Sequence, residues 1–409
     1  MPHSRDDHIT EILDYFSREI SQKERKGRIL DAGAGAGKFG PLLRGRGFHV
    51  EALEIHMPYV LDFHLEDKYD RVIIGDLREL TAEDFARYDG VLLGDIVEHL
   101  EVHEAQEVLR RACKGCAKVV FVVPYEYEQG AVDGVEWEIH RQPDLTPALV
   151  RERYPLFVPV IENERCGTYA KPWIAAATAT AFRPEVLAGT MRALDAVDGI
   201  ADVPLFVRAD PTPRTPEIVA LLSERAVRHE TRVTVGDTLL GPHVNTRAAL
   251  RAPFDFGFDA ALCIEEDVEV SPDVLRLARW FLSLPNVDDY ACLTLFNYSD
   301  GDDPGVLREG LATRDDVAEF CPLGFVVTRR SWYENFEAHW ADDPRGWDWS
   351  IGSHFLRVGA RVLRPDVRRS LHTGTVGVNC TADFQERVFA HMKKWEGLDA
   401  LWYHIEGAE

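Results

Sequence analysis

The sequence is short of the features that mark secreted, membrane and nucleic-acid-binding chains. Of its 409 residues only 7 are cysteine, an odd and scattered set that does not read as a disulfide framework. Cys113 and Cys116 form a single CxxC. A zinc ribbon needs a second such pair, so the spacing predicts a helix-to-strand corner with two packed thiols. No apolar run approaches the roughly 18 residues of a spanning helix, and the densest, Val119 to Val123, is strand-sized. The opening residues, Met1 to His8, lack the apolar stretch of a secretory signal. Positive charge is scarce: 46 Lys and Arg stand against 69 Asp and Glu, a net charge of −23. That balance disfavours a broad hold on nucleic acid or an anionic membrane, though it leaves room for a local phosphate pocket. There is no low-complexity tract, short-period repeat or long charge block. Together these absences predict a reduced, cytoplasmic, globular protein with no membrane span.

What is present suits ordinary cores. Hydrophobic residues make up 45% and charged residues 28%, and the length allows two or three domains. Ile9, Ile12, Leu13, Phe16 and Ile20 keep the 3–4 spacing of one helix face. Short apolar runs then alternate with polar helical stretches: Arg28–Asp31, His49–Glu54, Arg71–Ile74, Gly90–Leu93 and Lys118–Val123. Such alternation predicts an α/β fold with a parallel sheet covered on both faces. Residues 130–172 look irregular, with Pro143, Pro147, Pro155, Pro159 and Pro172. A second series follows: a strand at Trp173–Ala181, a helix at Pro184–Val197, a strand at Pro204–Arg208, a helix at Glu217–Val227 and a strand at Asp259–Ile264. The expected boundary divides the chain into domains 1–170 and 171–409.

The first series opens on Asp31-Ala-Gly33-Ala-Gly35-Ala-Gly37-Lys-Phe-Gly40, a strand end, a glycine loop and a helix start. Glycines let the backbone turn sharply and let a ligand lie against the main chain. Phe39 after Lys38 excludes a P-loop, which needs Ser or Thr there. The frame Gly35-x-Gly37-x-x-Gly40 satisfies the dinucleotide fingerprint. Acids also end the next three runs: Glu54, placed to accept from two ribose hydroxyls, then Asp76, placed for an adenine amino group, and Asp95. In combination these residues, over 26–125, resemble class I S-adenosylmethionine (SAM)-dependent methyltransferases. The resemblance implies a Rossmann-like sheet with a SAM site built from Asp31, Gly33, Gly35, Gly37, Glu54, Asp76 and Asp95. Glu98 and His99 match a pattern near the methyl end of that cleft. His99 and His140 are candidates for a catalytic base, or else packed histidines.

In the second series a strand runs into Glu265-Glu266-Asp267. Acids after a strand are commonly a solvated turn, but a divalent cation bridging a diphosphate needs carboxylates presented this way. Residues 173–380 resemble GT-A glycosyltransferases, most closely the inverting N-acetylglucosaminyltransferase I family. The matches are Ala181-Phe-Arg183-Pro, Arg208-Ala-Asp210, Gly241 to Leu250 with Asn245, the acidic triplet, Leu293 to Asn297, Phe320 to Phe325, Gly346-Trp347-Asp348-Trp349, Arg364 to Arg368 and Gly374 to Asn379. The resemblance implies a UDP-sugar site from Arg183, Asp210 (against uracil), Asn245, Glu265, Glu266 and Asp267, with Asp267 as the ligand of a metal, Mn²⁺ being expected. It implies Asp348 as the base that deprotonates the acceptor hydroxyl. Glu266 departs from the family's aspartate.

The combined expectation is a bifunctional enzyme, transferring a methyl group from SAM and a sugar from a UDP-sugar to one glycan or small-molecule glycoside. Two alternatives stay open. Only one domain is active and the other docks or senses; or the acceptor is a nucleic-acid base, which the net charge disfavours.

Overall fold

The computed structural model describes residues 7–20, 25–116, 118–284, 286–311, 320–341, 343, 345–375, 381–397 and 403–406. Residues 376–379 of the last expected match lie outside them. The chain divides into two compact units, Met1–Pro172 and Trp173–Glu409.

The first unit is built on a seven-stranded sheet: β1 (Arg28–Ala32), β2 (His49–Glu54), β3 (Arg71–Ile74), β4 (Gly90–Gly94), β5 (Lys118–Pro124), β6 (Val158–Glu162) and β7 (Cys166–Ala170), in the order β3-β2-β1-β4-β5-β7-β6. Strands β1 to β5 run parallel, which requires helices on both faces. β5 shows why its apolar run is continuous. Val119, Phe121 and Val123 enter one core with Leu30 and Leu93, while Val120 and Val122 enter the other with Ile29, Val50 and Phe16. The helix Ile9–Glu19 lays Ile12 and Phe16 into that second core. Cys113 and Cys116 are buried thiols at the corner from helix Val102–Gly115 into β5.

The stretch expected to be irregular is a correction. It contains the helix Pro147–Arg153 and the antiparallel hairpin β6–β7, which extends the sheet beyond β5. Pro159, which argued against a strand, sits in β6 at the sheet edge, beside a register irregularity between Pro159 and Ile161. An edge strand has one unpaired side, where the missing N–H of proline costs no ladder bond.

The second unit contains β8 (Ile174–Thr180), β9 (Leu205–Ala209), β10 (Thr231–Val235), β11 (Ala260–Cys263), β12 (Val268–Val270), β13 (Tyr290–Thr294), β14 (Val306–Leu311), β15 (Phe325–Thr328), β16 (Arg361–Pro365), β17 (Ser370–His372) and β18 (His404–Ile405). Nine form one mixed sheet, β10-β9-β8-β11-β15-β13-β16-β14-β18, and β12 pairs with β17 separately. The expected α/β class with two sheets, the first of them Rossmann-like, is therefore what the chain adopts. In each sheet the strand order reverses beside the first strand, between β1 and β4 and between β8 and β11. Open α/β sheets bind ligands at the carboxyl ends of the strands flanking such a reversal. Among the described residues no helix is long and apolar enough to cross a membrane.

Candidate active sites

In the first unit the glycine loop leaves β1 with Gly33, Gly35 and Gly37 all at positive φ, 83°, 51° and 75°. A Cβ on Gly33 would collide with the Ile96 side chain, so the loop and the turn after β4 pack backbone against side chain. Glu54, at the end of the neighbouring β2, fastens the loop: Gly35 N–H donates to its Oε2 and His56 N–H to its Oε1, each at 2.8 Å. A carboxylate has about four acceptor directions, so two remain for a ligand. Burial pushes Glu54 above its usual range, with the two N–H donors pulling the other way.

Asp31 stands deeper. It is buried and receives the Tyr69 hydroxyl at 2.5 Å. Burial outweighs that bond and raises its pKa to about 7. A carboxyl raised in the folded state stabilises the fold at pH below its unfolded value near 4. That contribution is lost as pH climbs through about 7. Asp31→Asn keeps an acceptor for Tyr69 and removes the titration. Denaturant unfolding followed at pH 5 and pH 8 should show the variant gaining about 2–3 kcal/mol on the parent over that interval. Parallel pH dependence of the two proteins would contradict it.

A cavity of about 130 Å³ opens at the reversal, lined by Gly33, Gly35, Glu54, Asp95, His99 and His140 among others. A second of the same size adjoins it, sharing Gly33, Ile96, His99 and Trp137, and reaches Asp76 and Arg78. Asp31 and Gly37 line neither: Asp31 is bound to the Tyr69 hydroxyl, and Gly37 packs against Leu65 and Lys68. Asp76 is bound to Arg78, whose Nη2 lies 2.7 Å from Oδ2 and whose own N–H donates to Oδ1. Burial raises this carboxyl, but the Arg78 bonds and charge outweigh it and hold it below its usual range. Asp95 follows β4 with φ 53°, and its N–H donates to Val122 O.

His99 and His140, 41 positions apart in sequence, meet edge to face with ring centres 4.7 Å apart. The segment 140–142 is clamped to the turn after β4: Arg141 N–H and Gln142 N–H donate to Glu98 O, and the Gln142 amide donates to Val97 O and Leu100 O. Burial lowers the His99 pKa to about 4.

In the second unit the acidic triplet follows β11 beside the end of β8. Its members do different things. Glu266 receives the Thr180 hydroxyl at 2.5 Å and Arg183 Nε at 2.7 Å. Asp267 is buried, and its Oδ2 lies 2.9 Å from Arg183 Nη2 and 3.3 Å from His372 Nε2. Burial raises Asp267, but His372 and Arg183 outweigh it and hold it below its usual range. Glu265 is pushed well above its usual range by burial and then by the charges of Asp267 and Asp348, against a hydrogen bond from Trp347.

His372 has no counterpart among the residues singled out from sequence. The register of β12 against β17, Val268 opposite His372, sets it beside Asp267, and Gln385 Oε1 holds its Nδ1 at 2.8 Å. No local signal marks it: the pairing joins segments a hundred residues apart.

Asp210 lies at the end of β9 and accepts from Leu240 and Gly241 N–H at 3.1 and 2.8 Å, at the start of helix Gly241–Asp255. Asn245 on that helix donates to Thr180 O and Arg208 O. The second carboxylate oxygen of Asp210 and the amide oxygen of Asn245 are buried with no hydrogen-bond partner. Asp348 sits in the first turn of helix Trp347–Val358, after Gly346 at φ 140°. Burial raises its pKa against the pull of its own and Trp349's backbone N–H. The flanking tryptophans separate: Trp347 is buried and stacks on Trp340 at 4.4 Å, whereas Trp349 is exposed beneath the Arg345 guanidinium. Asn297 lies beyond the end of β13 rather than at it, and its amide donates to Pro365 O and Asp366 O.

No protein-family model matches the chain. Solved structures similar to it include transferases of two kinds. One is the 1,6-didemethyltoxoflavin-N1-methyltransferase of Burkholderia thailandensis with bound S-adenosylhomocysteine. It is 21% identical, with a TM-score of 0.29, over 36% of this chain and 72% of that one. Another is the mannosyltransferase PcManGT of Pyrobaculum calidifontis in complex with GDP-mannose and Mn²⁺. It is 13% identical, with a TM-score of 0.35, over 48% of this chain and 57% of that one. A third is residues 1–349 of S. aureus TarS, 13% identical, with a TM-score of 0.37, over 50% of this chain and 61% of that one. This chain thus spans less than two thirds of the latter two, and none of the three likenesses assigns a residue role.

Proposed function

We propose that the chain is a two-headed transferase: a class I SAM-dependent methyltransferase in residues 1–170 and a GT-A, inverting, metal-dependent glycosyltransferase of the N-acetylglucosaminyltransferase I kind in 171–409. The observation that carries this reading is that a buried carboxylate stands close to each chain reversal: Glu54, at the end of β2, holding the glycine loop, and Asp267, in the turn between β11 and β12, beside Arg183 and His372.

In the first cleft, Glu54 has acceptor capacity left for ribose hydroxyls, Asp76 and Leu77 line the adjoining cavity for a purine, and Gly33 and Gly35 let a ligand lie against the loop's main chain. SAM, when bound, supplies a methyl group on a sulfonium that is already an activated leaving group. The residues' task is to position it against the acceptor oxygen and to keep water out.

In the second, the unpartnered oxygens of Asp210 and Asn245 suit a ligand with N–H donors, as uracil has. Asp267 and His372 fit a divalent ion, being a carboxylate and an imidazole that converge at 3.3 Å with the far ring nitrogen already oriented by Gln385. Such an ion, when bound, neutralises charge on the leaving diphosphate. Asp348, raised by burial, is suited to accept the acceptor's hydroxyl proton.

The test is incubation of the full chain with SAM, Mn²⁺ and a panel of UDP-sugars against glycan and glycoside acceptors. Release of both UDP and S-adenosylhomocysteine with a doubly modified product is expected. Release of neither with any acceptor would contradict the proposal.

A further inference from the structure

The turn after β4 and the clamped segment 140–142 bring together more than two histidines. One ligating atom each from Glu98, His99 and His140 lies within 4.8 Å of the other two, and among the described residues this is the only group of three metal-ligating side chains so placed. All three line the first cavity. Each is oriented. His140 Nδ1 stands 2.7 Å from Tyr127 O, so Nδ1 carries the hydrogen and Nε2 the lone pair. His99 Nδ1 is buried with no hydrogen-bond partner. The Glu98 backbone is fixed by Arg141 and Gln142, and Glu98 is 1% exposed.

From this geometry we infer that Glu98, His99 and His140 form a binding site for a divalent transition metal of the Zn²⁺ class, inside the cleft and distinct from Asp267. Two imidazoles and one carboxylate are a donor set that borderline ions prefer, and Mg²⁺ or Ca²⁺, which take oxygen ligands, do not. Bonds of 2.0–2.1 Å in tetrahedral geometry put ligand atoms about 3.3 Å apart, so capture asks each side chain to move by less than about 1 Å. Three protein ligands leave a position open toward the cavity. The ligand class for that position is an acceptor hydroxyl, whose acidity the ion raises.

This role rests on the methyltransferase reading; the metal site itself does not. In the transfer, the acceptor O–H gives its proton to solvent water and the oxygen pair forms the O–CH₃ bond. The S–CH₃ pair stays on sulfur, giving neutral S-adenosylhomocysteine. His99 and His140 then serve as ligands, not as the general base.

The experiment uses the full chain, stripped with chelator and titrated with Co²⁺ alone, read by visible absorption and by bound metal per chain after gel filtration. S-adenosylhomocysteine binding is measured in parallel by calorimetry. The Asp267→Asn chain should keep one Co²⁺ with a ligand-field spectrum. Adding His140→Ala, or His99→Ala, should weaken its binding more than about a hundredfold, beyond the roughly ten- to hundredfold loss from merely disturbing a ligand's outer contacts. A far-UV circular dichroism spectrum and a melting temperature like the parent's show that the His140→Ala chain is folded. Co²⁺ affinity unchanged in both histidine variants, or no Co²⁺ in the Asp267→Asn chain, overturns the site. Co²⁺ bound as expected with no S-adenosylhomocysteine binding instead overturns the methyltransferase reading and leaves the metal site standing.

Discussion

Replacing Asp267 with asparagine should lower sugar transfer at least about a thousandfold, the scale on which loss of preorganised charge stabilisation acts. The effect follows from where the side chain sits. Asp267 is 5% exposed, it faces His372 at 3.3 Å, and a Cβ at Gly374 would come within 2.5 Å of its carboxylate. A neutral amide in that place keeps the shape, and it removes the charge that would hold a cation against a diphosphate. Steady-state UDP release at saturating Mn²⁺ is the measurement. Loss of less than tenfold, or activity that survives exhaustive chelation in the parent, contradicts a metal held there.

Asp348→Asn should reduce kcat for sugar transfer by about 10²- to 10⁴-fold, the usual worth of a positioned general base, while leaving the KM for the donor within about threefold. The carboxyl lies at the start of helix Trp347–Val358, and burial raises its pKa. Its acidic neighbour Glu265 is also pushed up, by burial and then by the charges of Asp267 and Asp348. In the parent, kcat should fall on the acid side as Asp348 takes up its proton, and this limb should vanish in the variant. A retaining product, or a variant with parental kcat, removes Asp348 from the role of base.

How much of this was visible in the sequence differs from residue to residue. The strand ends carrying Glu54, Asp95 and Glu265 to Asp267 were legible because a buried parallel strand needs a continuous apolar run, and the acid at its end marks where the sheet stops; Asp76 follows the short apolar run of the edge strand β3. The glycine loop was legible because positive φ at Gly33, Gly35 and Gly37 demands that residue type. The hairpin β6–β7 was not, since Pro159 reads as a breaker until one knows that it lies on an edge. Pairs formed by distant segments were also hidden. His372 reaches Asp267 through the register of two three-residue strands, and His140 reaches His99 through backbone bonds from 141 and 142 to Glu98. Neither pairing leaves a local pattern. Asp76 shows the opposite limit: its place at a strand end was clear, but not that Arg78 would bind both of its oxygens.

The most direct test is calorimetric titration of the full chain with S-adenosylhomocysteine and, separately, with UDP plus Mn²⁺, repeated on Glu54→Ala and Asp267→Asn. Two independent sites predict one equivalent of each ligand bound by the parent, S-adenosylhomocysteine lost only in the first variant and UDP only in the second. A parent that binds neither ligand, or a single substitution that abolishes both, would contradict the account.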